Sequence, residues 1–489
     1  MGETGIRRLI AAAAAALVAT SVGSCNRDSS APTGSARVDY IAGAIEPVLT
    51  RGERFVIEGF GFGAAPGSVL FTRIGGGTIE TAVADSEWTP FTIAVQVPDS
   101  AATGREALGV VTAAGVQLLT TVHILARSAF DPATFTWLAR AHFPGAPSGI
   151  GLTAAEFPEG GGVMRTTLYA AGGAEPPQMT PDTGVYVARA TSGGAGAIEN
   201  WRPSLALPDP RAFAATAVAT RYNSRFRGNA LYVIGGIDTT GRAQASVFAA
   251  DVTPDSVSSR FIMVEPLPAP IAGAIAVVRH GRIYVIGGTD AAGHPQSTVY
   301  MGRIGTDGHI DGWYVQPPLV GPRAYGAGIA RAGRIVAIGG VADSVPPGGG
   351  LGGGTQRLVT GDTAAVSLLS GFFTGAWGAG AALLPEGRSQ FALLDLDSVV
   401  LVVGGMYAGA GGNSAETIAA SVSGDSVGPF TGPVGSNRIA DLMCLTEAAG
   451  TLVGPAGITW RDADGTPRGL VVGGLDLATQ GPRSCAWGF

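Results

Sequence analysis

The hydrophobic positions of this chain recur with a long period. Six short apolar runs each end in a Gly-Gly pair: residues 168–173 (LYAAGG), 231–236 (LYVIGG), 283–288 (IYVIGG), 335–340 (IVAIGG), 401–405 (LVVGG) and 470–474 (LVVGG). The first glycines stand at 172, 235, 287, 339, 404 and 473, so the spacing runs from 52 to 69 residues. Each run is rich in β-branched and aliphatic residues and short enough for a strand. A period of roughly 50 residues marks a repeated supersecondary unit and not one ordinary core. A strand of small residues precedes each run, as at 213–218 (FAATAV) and 272–277 (AGAIAV). A polar loop follows, then a third strand such as 297–301 (STVYM), then a fourth segment with a leading aromatic residue, at Trp201 or in 312–314 (GWY). The pattern predicts an all-β chain with four antiparallel strands per repeat, the blade of a radial array.

The ends of the repeat region predict how it closes. After the last Gly-Gly only 15 residues remain, with a single strand in 483–487 (RSCAW). Residues 135–139 (FTWLA) read as a fourth strand without its repeat. Pairing it onto the sixth repeat joins the two ends and removes two open sheet edges.

The Gly-Gly pair that ends the second strand, with a downstream Tyr and Trp, resembles the kelch repeat. That resemblance covers residues 130–489 and implies a six-bladed, galactose-oxidase-like β-propeller. Residues 38–126 follow a different rule. Short alternating runs at 55–58 (FVIE), 69–71 (VLF), 92–97 (TIAVQV), 108–111 (LGVV) and 122–125 (VHIL) lie between Gly and Pro signals. They predict seven or so strands in a small sandwich. Pro47 with Gly52, the GFGFG turn at 59–63 and the strand end at 95–98 (VQVP) resemble the IPT/TIG family of immunoglobulin-like domains. In bacterial surface proteins such domains are mostly spacers or adhesive modules.

Ahead of both lies a targeting pattern. Arg7 and Arg8 precede a 14-residue apolar run at 9–22, shorter than the roughly 20 residues that span a bilayer but suited to a signal-peptide core. The run ends in Val22-Gly23-Ser24-Cys25, which resembles a bacterial lipobox. That resemblance implies cleavage of residues 1–24 and lipid on Cys25, hence an exported protein anchored to a membrane at the periplasmic or cell-surface side. Residues 25–37 are polar and rich in Ser, Pro and Gly, a flexible tether.

Composition narrows the chemistry. The net charge of −6 gives no basic field for nucleic acid. Lysine is absent, which removes Schiff-base chemistry and a P-loop lysine. No Cys or His pair has metal-ligand spacing, so no metal and no cofactor are expected. Copper radical oxidases of the galactose-oxidase type need two His beside two Tyr. By the predicted topology, His280 and His309 fall on the face opposite His142 and His294. Cys444 in 441–445 (DLMCL), assigned to the first strand of the sixth repeat, and Cys485 in its third form either a disulfide, as an oxidising compartment allows, or two buried thiols.

The loops after the second strands and the connections before the first strands emerge on one side. Four of those connections place an arginine just before the first strand: Arg211, Arg323, Arg388 and Arg438. A partial ring of guanidinium groups there is a candidate anion-binding mouth, and the same arginines can instead hold blades together. A Gly-rich insert at 346–354 (PPGGGLGGG) belongs to the same side. The function expected from this pattern is recognition of a glycan or protein partner, with the IPT/TIG domain as spacer. The alternatives are a metal-free enzyme that processes carbohydrate of the sialic-acid type, and a structural protein of the cell envelope.

Overall fold

The computed structural model describes residues 36–489 apart from 43–46, 128–129, 146–147, 159–163, 176–178, 192–196, 223–226, 306, 332, 343–360, 366–371, 380–383, 408–414, 424–425, 437–438, 440–451, 463–465, 477–480 and 483. Residues 1–35, Cys25 among them, the Gly-rich stretch at 346–354, Arg438 and Cys444 lie outside the described residues. The described chain is all-β, with one 3₁₀ turn at Asp85–Glu87, and it divides into two compact units, residues 1–127 and 128–489.

The first unit is a sandwich of two sheets. One joins Arg37–Ile41, Arg54–Phe60 and Thr92–Gln96. The other runs in the order Val48–Thr50, Gln117–Leu125, Gly104–Val111, Ser68–Thr72 and Thr78–Ala82, with its first pair parallel and the rest antiparallel. Alternate residues of each sheet face inward: Phe55, Ile57, Ile93 and Val95 from one, and Val69, Phe71, Leu108, Val110, Val122 and Ile124 from the other. Trp88 closes one end. Its indole N–H donates to the Gly63 carbonyl at 3.0 Å, and its ring stands edge-on to Phe62.

Among the described residues the second unit holds six antiparallel sheets of four or five strands built to one plan, besides three short two-stranded ones. The first four begin Gly151–Pro158, Ala215–Tyr222, Ile275–Arg279 and Ala327–Arg331; each continues through the strand that ends before its Gly-Gly pair and on to outer strands in chain order. The second sheet has two short outer strands, Ser256–Val257 and Ile262–Val264, both paired with Val247–Thr253. The fifth runs Ala392–Asp395, Val399–Val403, Thr417–Ser423, Ser426–Val427. First strands pack on one another in succession, and that of the sixth sheet also packs on that of the first.

The sixth sheet draws on both ends of this unit. Its order is Ala456–Arg461, Pro467–Val472, Ala486–Gly488 and then Leu138–Ala139, the pairing predicted from the orphan strand. Phe135, Trp137 and Phe489 interlock beside it, with Phe135 and Phe489 ring centres 4.8 Å apart. The fully buried Trp137 donates its indole N–H to Thr417 Oγ1 at 3.1 Å, which ties this segment to the fifth sheet as well.

Two assignments need correction. The first strand of the sixth sheet is Ala456–Arg461 and not residues 441–445. It suits the place because Gly457 faces the neighbouring first strand, where a Cβ would stand 2.9 Å from the Leu393 carbonyl. The first strands of the second and third sheets also start later than 213 and 272, because Phe213 and Gly273 turn left-handed, with φ of 53° and 59°.

Candidate functional site

The Gly-Gly pairs are staples between sheets. In all six, the first glycine has φ between 61° and 70° and the second between 90° and 110°. The N–H of the second donates to a carbonyl of the following sheet: Gly173 to Arg211, Gly236 to Ile271, Gly288 to Arg323, Gly340 to Arg388 and Gly405 to Leu452, all at 2.7–2.9 Å. A Cβ on the first glycine would stand 2.2–2.3 Å from that same carbonyl at residues 172, 235, 287 and 339. Only glycine meets both conditions, so the motif is fixed by backbone packing.

The carbonyl acceptors explain the arginines. Arg211, Arg323 and Arg388 occupy the acceptor position, and Leu452 occupies it in the sixth sheet, where Arg438 was expected. The three arginines are buried, at 3%, 3% and 6% exposure. Arg323 Nη1 donates to the Gly339 carbonyl at 2.7 Å and Arg388 Nη1 to the Gly404 carbonyl at 3.1 Å. Both acceptors are first glycines of Gly-Gly pairs. Arg211 donates to the Pro210 carbonyl and, at 2.7 Å, to Ser246 Oγ, and its guanidinium stands 5.1 Å from the Phe248 ring centre. Burial pulls the Arg211 pKa down, against the pull of Asp209 and Asp238. The Arg323 and Arg388 guanidinium groups serve carbonyls that left-handed glycines take out of the sheet ladder.

Two residues beyond each acceptor lies a second conserved geometry, an axial belt. Gly149, Phe213, Gly273, Tyr325, Gln390 and Gly454 all have φ between 53° and 69°. Each donates its N–H to the carbonyl of the member before it: Phe213 to Gly149, Gly273 to Phe213, Tyr325 to Gly273, Gln390 to Tyr325 and Gly454 to Gln390, at 2.8–2.9 Å. The glycines make room for the rings: a Cβ would lie 2.6 Å from Phe213 Cδ1 at Gly149 and 2.5 Å from Tyr325 Cε1 at Gly273. Phe213 and Tyr325 meet edge to face at 5.4 Å. With Ala174, Ala212, Ile237, Ala272, Ala324 and Val341 they form an apolar plug. Burial pushes the Tyr325 hydroxyl up to about 12, while its hydrogen bond with Thr289 acts in the opposite direction.

The belt is open between Gly454 and Gly149; among the described residues no hydrogen bond joins them. Polar groups gather at this breach. Ser148 Oγ and Gln390 Oε1 flank Gly454, 2.6 and 3.7 Å from where a Cβ would stand. Both atoms, and the neighbouring Ser389 Oγ, are buried and have no hydrogen-bond partner among the described residues. Ser148 and Ser389 are fully buried and Gln390 is 8% exposed, whereas the flanking Gly149 and Gly454 are half-buried. Hydroxyl and amide groups in this state call for a partner, an ordered water or a hydrogen-bonding guest.

Sequence reasoning missed this cluster. Its signal was the pair before each first strand, at 148–149 (SG), 212–213 (AF), 272–273 (AG), 324–325 (AY), 389–390 (SQ) and 453–454 (VG), which reads as a repeat only once the belt aligns it. Of the two cysteines in the second unit, Cys485 is buried and disulfide-bonded, and Cys444 lies outside the described residues. Among the described residues no group of three or more His, Cys, Asp or Glu is placed to hold a metal ion.

No family model matches the chain. Residues covering 32% of it are similar to Beta-scruin from Limulus polyphemus, 28% identical over 156 residues, and the match spans only 16% of that protein. A solved structure of YjhT aligns with 82% of this chain and 99% of its own, at 15% identity and a TM-score of 0.40.

Proposed function

We propose that residues 130–489 form a six-bladed propeller of the kelch type whose loop-bearing axial face binds a neutral, hydroxyl-rich ligand, a glycan. Six sheets with successive packing of their first strands support the propeller reading, as does the shared use of the last sheet by both ends of the unit. The partial similarity to Beta-scruin, a kelch-repeat protein, points the same way. The observation that carries the binding reading is the breach, where three buried polar side-chain atoms have no partner among the described residues, beside an open stretch of belt.

Ligand charge follows from the arginines. Arg211, Arg323 and Arg388 are turned into the protein and bonded to it, so an acidic sugar finds no free guanidinium from them at the axis. This weighs against a sialic-acid-type enzyme that works through arginine. In the same reading residues 38–126 are an IPT/TIG spacer, and lipid on Cys25 anchors the protein at the envelope.

The test is an array of neutral and acidic glycans probed with the soluble chain at low and high salt. Binding of neutral glycans that ignores salt and is lost in Gln390→Ala supports the proposal. Salt-sensitive binding of acidic glycans that survives Gln390→Ala overturns it. Cys25→Ser is expected to move the protein from the membrane fraction to the soluble one.

A further inference from the structure

A cavity lies away from the axial face. It encloses about 130 Å³ between the second and third sheets, walled by Ala249, Ala250, Ile262 and Val264. Its other side is the turn at Asp307, Gly308 and His309, between the third and fourth strands of the third sheet. That turn is fixed in place: the buried Tyr232 hydroxyl donates to the Gly308 carbonyl at 2.6 Å, and the Gly305 N–H donates to the His309 carbonyl at 2.7 Å. The cavity is therefore part of the packed interface of two sheets.

The group that gives it a chemistry is Asp251, on the third strand of the second sheet. Its backbone N–H donates to Ser259 Oγ at 2.8 Å, which seats the residue at the cavity wall. Burial pushes its carboxyl pKa up, and the Ser259 hydroxyl partly reverses this. Among the described residues no cation is paired with it. The remaining charged groups around the opening are Arg260 and Asp307, both exposed, and the partly buried imidazole of His309. Two carboxylates, Asp251 and Asp307, stand against one guanidinium, Arg260, at the opening. A half-buried carboxylate in apolar surroundings favours an incoming cation that can donate hydrogen bonds to it.

We propose that this cavity binds a small organic cation, a primary ammonium on a short aliphatic stem, with the ammonium on Asp251 and the stem against Ala249, Ala250, Ile262 and Val264. Size agrees, since an engineered aliphatic cavity of about 150 Å³ accepts a benzene ring. The chain contains no lysine, so none of its own side chains supplies an ammonium, and the ligand comes from outside. The site is separate from the axial breach and does not depend on the glycan reading.

The experiment is calorimetric titration of the full chain at pH 7.5 with n-butylammonium and, separately, with n-butanol, its uncharged counterpart. n-Butylammonium is expected to bind about tenfold more tightly than n-butanol, the difference one charge-assisted hydrogen bond makes. Asp251→Asn is expected to erase that preference while leaving n-butanol binding unchanged. Ala249→Leu, which fills the cavity, is expected to remove both. Equal affinity of the two compounds for the unaltered chain overturns the proposal, as does a preference for the ammonium that persists in Asp251→Asn.

Discussion

On one side of the axial belt Gly149, Phe213, Gly273 and Tyr325 alternate, and two rings fill the space that two glycines leave. On the other side stand Gln390 and Gly454, preceded by Ser389 and Val453 where the first side has Ala212, Ala272 and Ala324, and Ser148, just before Gly149, meets Gly454 across the breach. The backbone is the same throughout, left-handed and linked by N–H to carbonyl bonds until the breach. A non-glycine residue in that conformation costs about 1–3 kcal/mol. Phe213 and Tyr325 offset it by burying a ring. Gln390 buries an amide oxygen without a partner, which adds to the cost. The aromatic half is built for stability and the polar half is not, and a strained, unsatisfied residue retained at an axis points to use.

The difference is largest in stability. Phe213→Ala removes a buried ring from the plug and leaves its strained backbone in place. It is expected to destabilise the second unit by about 3–5 kcal/mol in a denaturant melt, while Ser389→Ala, which removes a buried hydroxyl with no partner among the described residues, is expected to cost no stability or to add some. Equal effects of the two changes would erase the contrast between the halves.

Next in size are the arginines outside the belt. Arg323→Met keeps the stem but withdraws the donors that reach the Ala337 and Gly339 carbonyls, both in a buried setting. A loss of about 2 kcal/mol is expected, with glycan affinity unchanged. A variant of parental stability that no longer binds would return Arg323 to the ligand.

How far the sequence foretold this division depends on what each residue does. The Gly-Gly pairs were legible because two backbone demands, a left-handed turn and a carbonyl where a Cβ would sit, leave one residue type. The orphan strand at 138–139 was legible because a four-strand rule left one strand missing. Arg438 lies outside the described residues; what recurs at the acceptor position is a backbone carbonyl, which Leu452 supplies in the sixth sheet as well as an arginine would. Phe213 and Ala272 read as strand because their pattern is apolar, and φ is invisible in a pattern. Ser148, Ser389 and Gln390 come from distant repeats, and each alone is an ordinary surface residue type. Only the fold brings them to one axis and buries them.

Gln390→Gly sharpens the comparison with the opposite sign. Glycine accepts φ of 53° at no steric cost and carries no amide to bury. The variant is expected to gain about 1 kcal/mol in stability and to lose glycan binding, the trade expected where a strained residue serves a ligand. The same change at Phe213 should cost stability instead. If Gln390→Gly destabilises the protein and leaves binding intact, Gln390 is a packing residue and the polar half has no function of its own.

The smallest effect lies in the loops above the aromatic half. Asp238 Oδ1 accepts from the Thr240 hydroxyl and from the Thr240 and Arg242 N–H groups, and Asp290 Oδ1 accepts from the Ala292 and His294 N–H groups. Gln244 and Gln296 each donate to the second carboxylate oxygen. Burial raises the pKa of both carboxyls, and these donors more than reverse it, so both sit below the usual carboxylate value. A depressed folded pKa means that the stabilisation is complete above the ordinary value of about 3.9 and fades as pH falls through the folded one. Hydrogen exchange followed from about pH 5 downward should therefore show the loops at 238–244 and 290–296 opening before the belt segment at 389–390. The double change Asp238→Asn and Asp290→Asn should flatten that acid dependence and leave exchange at 389–390 as it was. Loops that open with the same acid dependence in the double variant would mean that the two carboxylates do not set their stability, and that the aromatic half owes its firmness to the plug alone.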